Sequence, residues 1–368
     1  MKTVLTVIGT RPEIIKMSPL IPLLDGNFRH VFVHSGQHYS PNMDRIFFEE
    51  LRLRQPDAVL DCGGLPPAEQ VGTIMTRLEK VIVAERPDAV IVHGDTNTTL
   101  GGALAGAKYK ESGVKVIHVE AGCRSHNPTM TEEINRMVVD RISDLMFVPT
   151  AGDALNLVRE GMDPARYFVT GNTVVDSCRR TAGLVDDREI LARSGLGLAT
   201  REYCLMTMHR QETVDHADRL SGVLEAVESI AGRLPVVLPL HPRTAKKMAE
   251  FGLAFRSKGF KIIEPVGYME MIGLMKNARF CITDSGGMQE EVAVLRVPTL
   301  VIRNETEYPH YVEAGILRLT GTASDAILAA AEPLVRDHAE CERVRRLDVD
   351  LPVSASADIV SRIRTFLG

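Results

Sequence analysis

The feature that most restricts this chain is a recurrence. Short, nearly unbroken runs of Val, Ile and Leu each stop at Gly, Asp, His, Pro or Asn, and each is followed by a segment with helical spacing. VLTVIG (4–9), HVFVHSG (30–36), DAVIVHGD (88–95), VKVIHVEAG (114–122), DLMFVP (144–149) and RYFVTGN (166–172) form a first series. Alternating runs would mark strands with one wet face; continuous runs mark strands covered on both faces, with the intervening helices as covers. The first half therefore reads as a parallel α/β unit. From Asn172 to about Thr200 the chain turns charged and helix-favouring, and the alternation then restarts with EYCLMTMH (202–209), LPVVLPLH (234–241), FKIIEP (260–265), RFCITDSG (279–286) and VPTLVIR (297–303). Two such series predict an α/β fold of two Rossmann-like doubly wound domains. The length of 368 residues agrees, because a single core stops growing near about 250–300 residues. Gly63 to Pro67 reads as a loop, and Leu351-Pro352 as a break before a last helix.

The bulk numbers narrow the partners. A formal net charge of −5 gives no footprint for nucleic acid or for an anionic membrane, so any basic site is local. The six cysteines are scattered without a C-x-x-C pair, which argues against a zinc cage or a disulfide framework and for reduced thiols. The start, MKTVLTVIGTRPE, carries one Lys and an apolar run too brief for a signal peptide, and no later run reaches the roughly 20 residues of a membrane span. The expectation is a cytoplasmic protein.

In open parallel sheets ligands sit beyond the carboxyl ends of strands, so the residues after each run are the ones to weigh. After the first run, Gly9-Thr10-Arg11-Pro12-Glu13 leads into a helix whose first turn suits Pro12. Arg11 and Lys16 near that helix's positive end make either a diphosphate site or an ordinary capped helix with solvated charges. There is no G-x-G-x-x-G, which weakens a dinucleotide reading. Asp95 precedes an Ala/Gly-rich helix and is either its N-cap or a functional acid. Glu120 lies between a buried run and an Ala-Gly turn, where capping explains nothing. Glu132 and Glu133 fall in the first turn of a helix begun by Thr131, matched to its dipole. Three acids at strand or helix ends of one domain, Asp95, Glu120 and Glu132, could raise each other's proton affinity toward neutral pH. In the second half, His209-Arg210 and His241-Pro242-Arg243 end successive runs and point to polyanion binding, without metal-ligand spacing.

GTRPE (9–13), HGDTNTT (93–99), HVEAGCRS (118–125), EEINR (132–136), TGNTVVD (170–176), MHRQE (208–212) and DSGGMQEE (284–291) stand in order along the chain. This set resembles the non-hydrolysing UDP-N-acetylglucosamine 2-epimerase family. The resemblance implies a glycosyltransferase-B-like fold, two Rossmann-like domains facing a cleft, with residues 1–171 plus a returning helix at about 354–368 as the acid/base domain and 172–353 as the UDP-binding domain. It also implies a homodimer, a UDP-sugar as substrate, and neither nicotinamide, metal nor other cofactor. Carried over by position, Asp95, Glu120 and Glu132 are the acid/base cluster, and which of them removes the proton stays open. His209 is the catalytic phosphate ligand that steadies departing UDP, with Arg11, Lys16, Arg136 and Arg210 as cations around substrate. Ser285, Gly286 and Gly287 meet a phosphate, Glu291 takes the ribose hydroxyls, and Glu290 only completes its helix.

Two stretches depart from the family pattern. Gly36-Gln37-His38 continues as Tyr39-Ser40-Pro41-Asn42-Met43 where relatives activated by UDP-GlcNAc have Arg and then Met-Leu, which leaves allosteric activation open. The family's T-E-R-P-E appears as Thr306-Glu307-Tyr308-Pro309-His310, removing a cation beside the nucleotide. The expected reaction is inversion at C2 of UDP-N-acetylglucosamine, with the same inversion on a sugar such as UDP-2,3-diacetamido-glucuronic acid as the alternative. A hydrolysing 2-epimerase, a retaining glycosyltransferase and a silent nucleotide-sugar sensor rank below these. The acids at 95, 120 and 132 have little to do in a transferase or a sensor, and Pro12-Glu13 stands where hydrolysing relatives carry Ala-Asp.

Overall fold

The computed structural model describes residues 1–37, 47–193, 195–349, 351 and 354–368. The departure at His38–Met43 lies outside the described residues. The chain divides into two compact units, Met1–Ser177 with Pro352–Gly368, and Cys178–Leu351.

The first unit is a seven-stranded parallel sheet in the order β3-β2-β1-β4-β5-β6-β7. Its strands are β1 (Thr3–Ile8), β2 (Arg29–His34), β3 (Ala58–Val59), β4 (Ala89–His93), β5 (Lys115–Val119), β6 (Leu145–Val148) and β7 (Tyr167–Val169). Both faces of β1 are dry: Val4 and Ile8 are as fully buried as Leu5 and Val7. On one face Leu5, Val7, Val33, Val90 and Val92 pack with Ile74 and Leu78 of the helix Pro67–Glu85 and Ala103 of the helix Asn97–Ala107. This is the double burial that continuous apolar runs demand.

The second unit has six parallel strands in the order β10-β9-β8-β11-β12-β13. They are β8 (Cys204–Thr207), β9 (Val236–Pro239), β10 (Phe260–Ile263), β11 (Phe280–Thr283), β12 (Thr299–Val301) and β13 (Leu317–Leu319). Met206, Leu238, Phe280, Ile282 and Leu300 form its core with Leu220, Val223 and Val227 of the helix Ala217–Ala231 and Ile327 and Leu334 of the helix Ser324–Arg336. The edge strands β3 and β13, two and three residues long, have no counterpart among the apolar runs. Runs so short carry no periodicity, and in β13 the middle residue is Arg318.

In each sheet the strand order reverses once: between β1 and β4 in the first unit, and between β8 and β11 in the second. Register sets Thr6 beside Ile91 in the one and Thr207 beside Thr283 in the other. The loops leaving β1 and β4 therefore emerge side by side, as do those leaving β8 and β11. Such reversals are where open α/β sheets form ligand crevices. The last helix, Ala355–Leu367, belongs to the first unit and packs on the helix Leu20–Asn27. Asp176 ties it down by accepting the Ser356 N–H at 2.7 Å and the Ser354 hydroxyl at 3.3 Å.

Candidate active site

At the reversal of the first sheet, the turn after β1 is held by Glu13. Its Oε2 accepts the N–H groups of Gly9 (2.9 Å) and Thr10 (2.8 Å), and its Oε1 accepts the Thr96 hydroxyl at 3.0 Å. One carboxylate thus joins the loops leaving β1 and β4. Burial pushes Glu13 up to about 7, against the hydrogen bonds it accepts from Gly9, Thr10 and Thr96. A Cβ at Gly9 would come within 1.9 Å of Ser35 Oγ and 2.3 Å of Thr98 Oγ1, so this close packing requires glycine. Arg11 opens the helix Arg11–Met17, and its guanidinium lies 5.6 Å from the centre of the Phe47 ring.

Lys16, one turn later, reaches Glu120 beyond β5, with Nζ at 2.7 and 2.6 Å from the two carboxylate oxygens. Glu120 occupies the left-handed region at φ 69°. That conformation costs a non-glycine residue about 1–3 kcal/mol and is concentrated at functional sites. Burial works to raise the Glu120 pKa, but the Lys16 ammonium outweighs it and holds the carboxyl below its ordinary range. His93 Nε2 stands 3.6 Å from Glu120, and neither ring nitrogen has a hydrogen-bond partner among the described residues. Burial pushes His93 down to about 4, so it is neutral.

Asp95, beyond β4, is not the cap of the next helix. That place belongs to Thr96, whose hydroxyl accepts the Thr99 N–H at 3.2 Å. The Asp95 side chain is instead ion-paired with Arg136, and its carbonyl accepts Asn135 Nδ2 at 2.8 Å. Burial raises the Asp95 pKa, with Arg136 opposing. Of the two glutamates that open the helix Thr131–Ile142, it is Glu133 that turns inward. Glu133 accepts the N–H groups of Ser125 (2.8 Å) and His126 (2.9 Å) and meets Arg136 at 3.1 Å. Glu132 points to solvent and has no hydrogen-bond or ion-pair partner among the described residues. The structure thus joins Lys16 with Glu120 and Asp95 with Arg136, and leaves Glu132 outside those contacts.

In the second unit, buried Asp284 organises the reversal. Its carboxylate accepts the His209 N–H at 3.0 Å and the Arg210 N–H at 2.9 Å, tying the end of β8 to the end of β11. The His209 ring is half exposed, 5.3 Å from the His241 ring; burial lowers its pKa, with Asp284 opposing. Ser285 caps the helix Gly286–Leu295, and a Cβ on Gly286 would lie 3.2 Å from an Arg210 guanidinium nitrogen. A cation and a helix N-terminus with free N–H groups therefore share one corner. Beside it opens a cavity of about 310 Å³ lined by Met208, His209, His241, Ser285, Gly287 and Glu291, with Val266 and Met271 as apolar wall.

Glu290 does more than complete its helix. It is buried and its carboxylate accepts the Tyr308 hydroxyl at 2.9 Å, while the first turn, Gly286 to Gln289, holds no acid. Reading the strand ends one at a time did not single out Glu13, His93 or Asp284. Glu13 was within reach, since Thr10-x-x-Glu13 has capping-box spacing. Asp284 and His93 bond or face residues far along the chain and gave no local sign. Among the described residues no three His, Cys, Asp or Glu side chains are placed to hold a metal ion, and no helix is long and apolar enough to cross a membrane.

The chain is similar to known proteins over most of its length. A model of the UDP-N-acetylglucosamine 2-epimerase family matches residues 24–362. The UDP-N-acetylglucosamine 2-epimerase of Methanocaldococcus jannaschii is 43% identical over 333 residues, covering 89% of this chain and 90% of the relative. The UDP-2,3-diacetamido-2,3-dideoxy-D-glucuronate 2-epimerase of Pseudomonas aeruginosa is 39% identical, covering 89% and 91%. A solved structure of the M. jannaschii UDP-GlcNAc 2-epimerase superposes with a TM-score of 0.85 at 39% identity, covering all of both chains, and another holds UDP-GlcNAc and UDP (TM-score 0.79). Two parallel α/β units with charged residues gathered at both strand-order reversals, matched over nine-tenths of the chain, place this enzyme in the UDP-N-acetylglucosamine 2-epimerase family.

Proposed function

We propose that the protein inverts C2 of UDP-N-acetylglucosamine to give UDP-N-acetylmannosamine, by eliminating UDP and adding it back across 2-acetamidoglucal. The observation that carries this reading is the Lys16–Glu120 pair, a strained glutamate ion-paired to a lysine at a strand-order reversal, with Asp95 at the neighbouring loop. The C2 hydrogen has no adjacent carbonyl to acidify it, so its removal needs a positioned carboxylate and a leaving group departing from C1. An incoming diphosphate competes for Lys16. As the ammonium turns to the phosphates, Glu120 loses its counter-charge and its proton affinity rises at the moment a base is needed. Asp95, raised by burial, and Glu132, exposed on the first turn of its helix, complete the set of acids that exchange the proton.

The nucleotide falls to the second unit in this reading. His209 and Arg210, with the N–H groups opened by Ser285, Gly286 and Gly287, meet the diphosphate, and Glu291 takes the ribose hydroxyls. Arg11 and Arg136 add positive charge on the first unit. A second substrate is favoured by one observation: where relatives carry a cation, Tyr308 donates to Glu290, and the P. aeruginosa relative acts on a diacetamido-glucuronate. Homodimeric assembly and a cytoplasmic location belong to the same reading, the former checked by light scattering.

The test is incubation with UDP-GlcNAc in deuterium oxide, followed by proton NMR. Deuterium at C2 with a new manno signal supports the reading. Free N-acetylmannosamine would mean hydrolysis instead. Exchange only with the diacetamido-glucuronate would move the substrate, and no exchange with either sugar would sink the proposal.

A further inference from the structure

Behind Asp95 and Glu120 lies a charge array that the proton transfer itself does not use. His118 on β5 and Asp140 on the helix Thr131–Ile142 are both wholly inaccessible to solvent. His118 Nε2 is 2.8 Å from the Gly94 carbonyl oxygen, and Nδ1 is 2.7 Å from Asp140 Oδ1. A carbonyl oxygen only accepts, so Nε2 carries a proton. The other Asp140 oxygen accepts the Gly122 N–H at 3.1 Å and meets the Arg124 guanidinium at 2.7 Å, contacts that call for an ionised carboxylate. Nδ1 therefore carries a proton too, and the ring is an imidazolium. Arg124 goes on to Glu160 at 2.7 and 2.8 Å, so four charges alternate in sign from the interior out to the surface. Glu120 and His93 both feel the His118 end of this array.

Both ends of the pair grip the backbone of an acid-bearing turn. Gly94 precedes Asp95, and Gly122 follows Glu120 by two residues. Gly122 itself has φ 81° and a Cβ there would meet the Asp153 carbonyl oxygen at 2.8 Å, so this turn has no slack. Buried ion pairs rarely add net stability over an apolar core, because desolvation offsets their attraction. Their return here is geometric. We propose that His118 and Asp140 are positioning residues for the C2 proton transfer: the imidazolium clamps the Gly94 carbonyl, the carboxylate clamps the Gly122 N–H, and the pair fixes the Asp95 and Glu120 turns in one frame. This rests on the epimerase reading above.

Two measurements test it. In protein labelled with 15N-histidine, both ring nitrogens of His118, assigned by their loss in His118→Gln, should show protonated shifts at pH 7.5. A neutral ring there overturns the proposal. In Asp140→Asn, kcat should fall about 100-fold, the scale of an ångström's misplacement of a reacting group, while KM and the UDP dissociation constant stay within about twofold. A kcat within about twofold of wild type in folded Asp140→Asn also overturns it. If Asp140→Asn does not fold, His118→Gln repeats the kinetic test and the wild-type spectrum still decides the charge state. Absence of C2 exchange in the wild-type enzyme would sink the epimerase reading alone, because the histidine spectrum is read without turnover.

Discussion

Asp95 and Glu120 differ in what the fold does to them, and the difference is testable. Asp95 is held above its ordinary range by burial, whereas Glu120 is held below by Lys16. Asp95→Asn and Glu120→Gln should each lower C2 deuterium exchange by about 10² to 10⁴, the usual share of a positioned acid or base. UDP affinity by calorimetry should stay within about twofold, since the groups assigned to the ribose and most of those assigned to the diphosphate lie on the other unit. Glu13 offers a pH signature. Its folded pKa of about 7 is above the 4.5 of a free glutamate, so its contribution is full below pH 4.5 and lost as pH rises through 7. Relative to Glu13→Gln, the wild type should lose about 3 kcal/mol of stability between pH 4.5 and 7.5, read by denaturant unfolding at both pH values. A flat difference would mean that the hydrogen bonds Glu13 accepts keep it ionised throughout.

At the scale of elements, the site depends on strand ends being stitched together. The seam between β8 and β11 runs through Asp284, which takes two backbone N–H groups from the far side of the reversal. Asp284→Ala should destabilise the second unit by about 2–3 kcal/mol and weaken UDP binding roughly tenfold, because buried donors left unmet cost more than their bonds gain. Asp284→Asn, which retains one acceptor oxygen, should lie between; unchanged UDP binding in both would remove Asp284 from the site. Elements also explain what was legible. Continuous Val/Ile runs revealed the principal strands because burial on both faces is a local demand on composition. Whether Asp95 caps the helix Asn97–Ala107 or serves the site was ambiguous, since Asp is a common cap and only the path of the chain gives the cap to Thr96 and frees Asp95 to meet Arg136.

At the scale of the molecule, the chain's last helix returns to its first unit. Ile359 and Ile363 are fully buried and Val360 nearly so, each side chain stabilising by roughly 1.5–3 kcal/mol. Together with the Asp176 bonds that is comparable to the whole stability of many domains. Removing residues 354–368 should abolish C2 exchange while UDP still binds, measured by calorimetry; loss of both would mean that the second unit needs this helix as well. By itself the sequence determined the α/β class, the restart of the strand pattern after Asn172 and the strand-end motifs, because covered strands and loop chemistry are written in neighbouring residues. Only the tertiary structure decided that Glu120 pairs with Lys16, that Glu133 and not Glu132 turns inward, that Glu290 receives Tyr308, and that His118 lies between the Gly94 carbonyl and Asp140. Each of those contacts joins positions brought together by strand order, register or helix orientation, and a charge's environment is set by what the fold places around it.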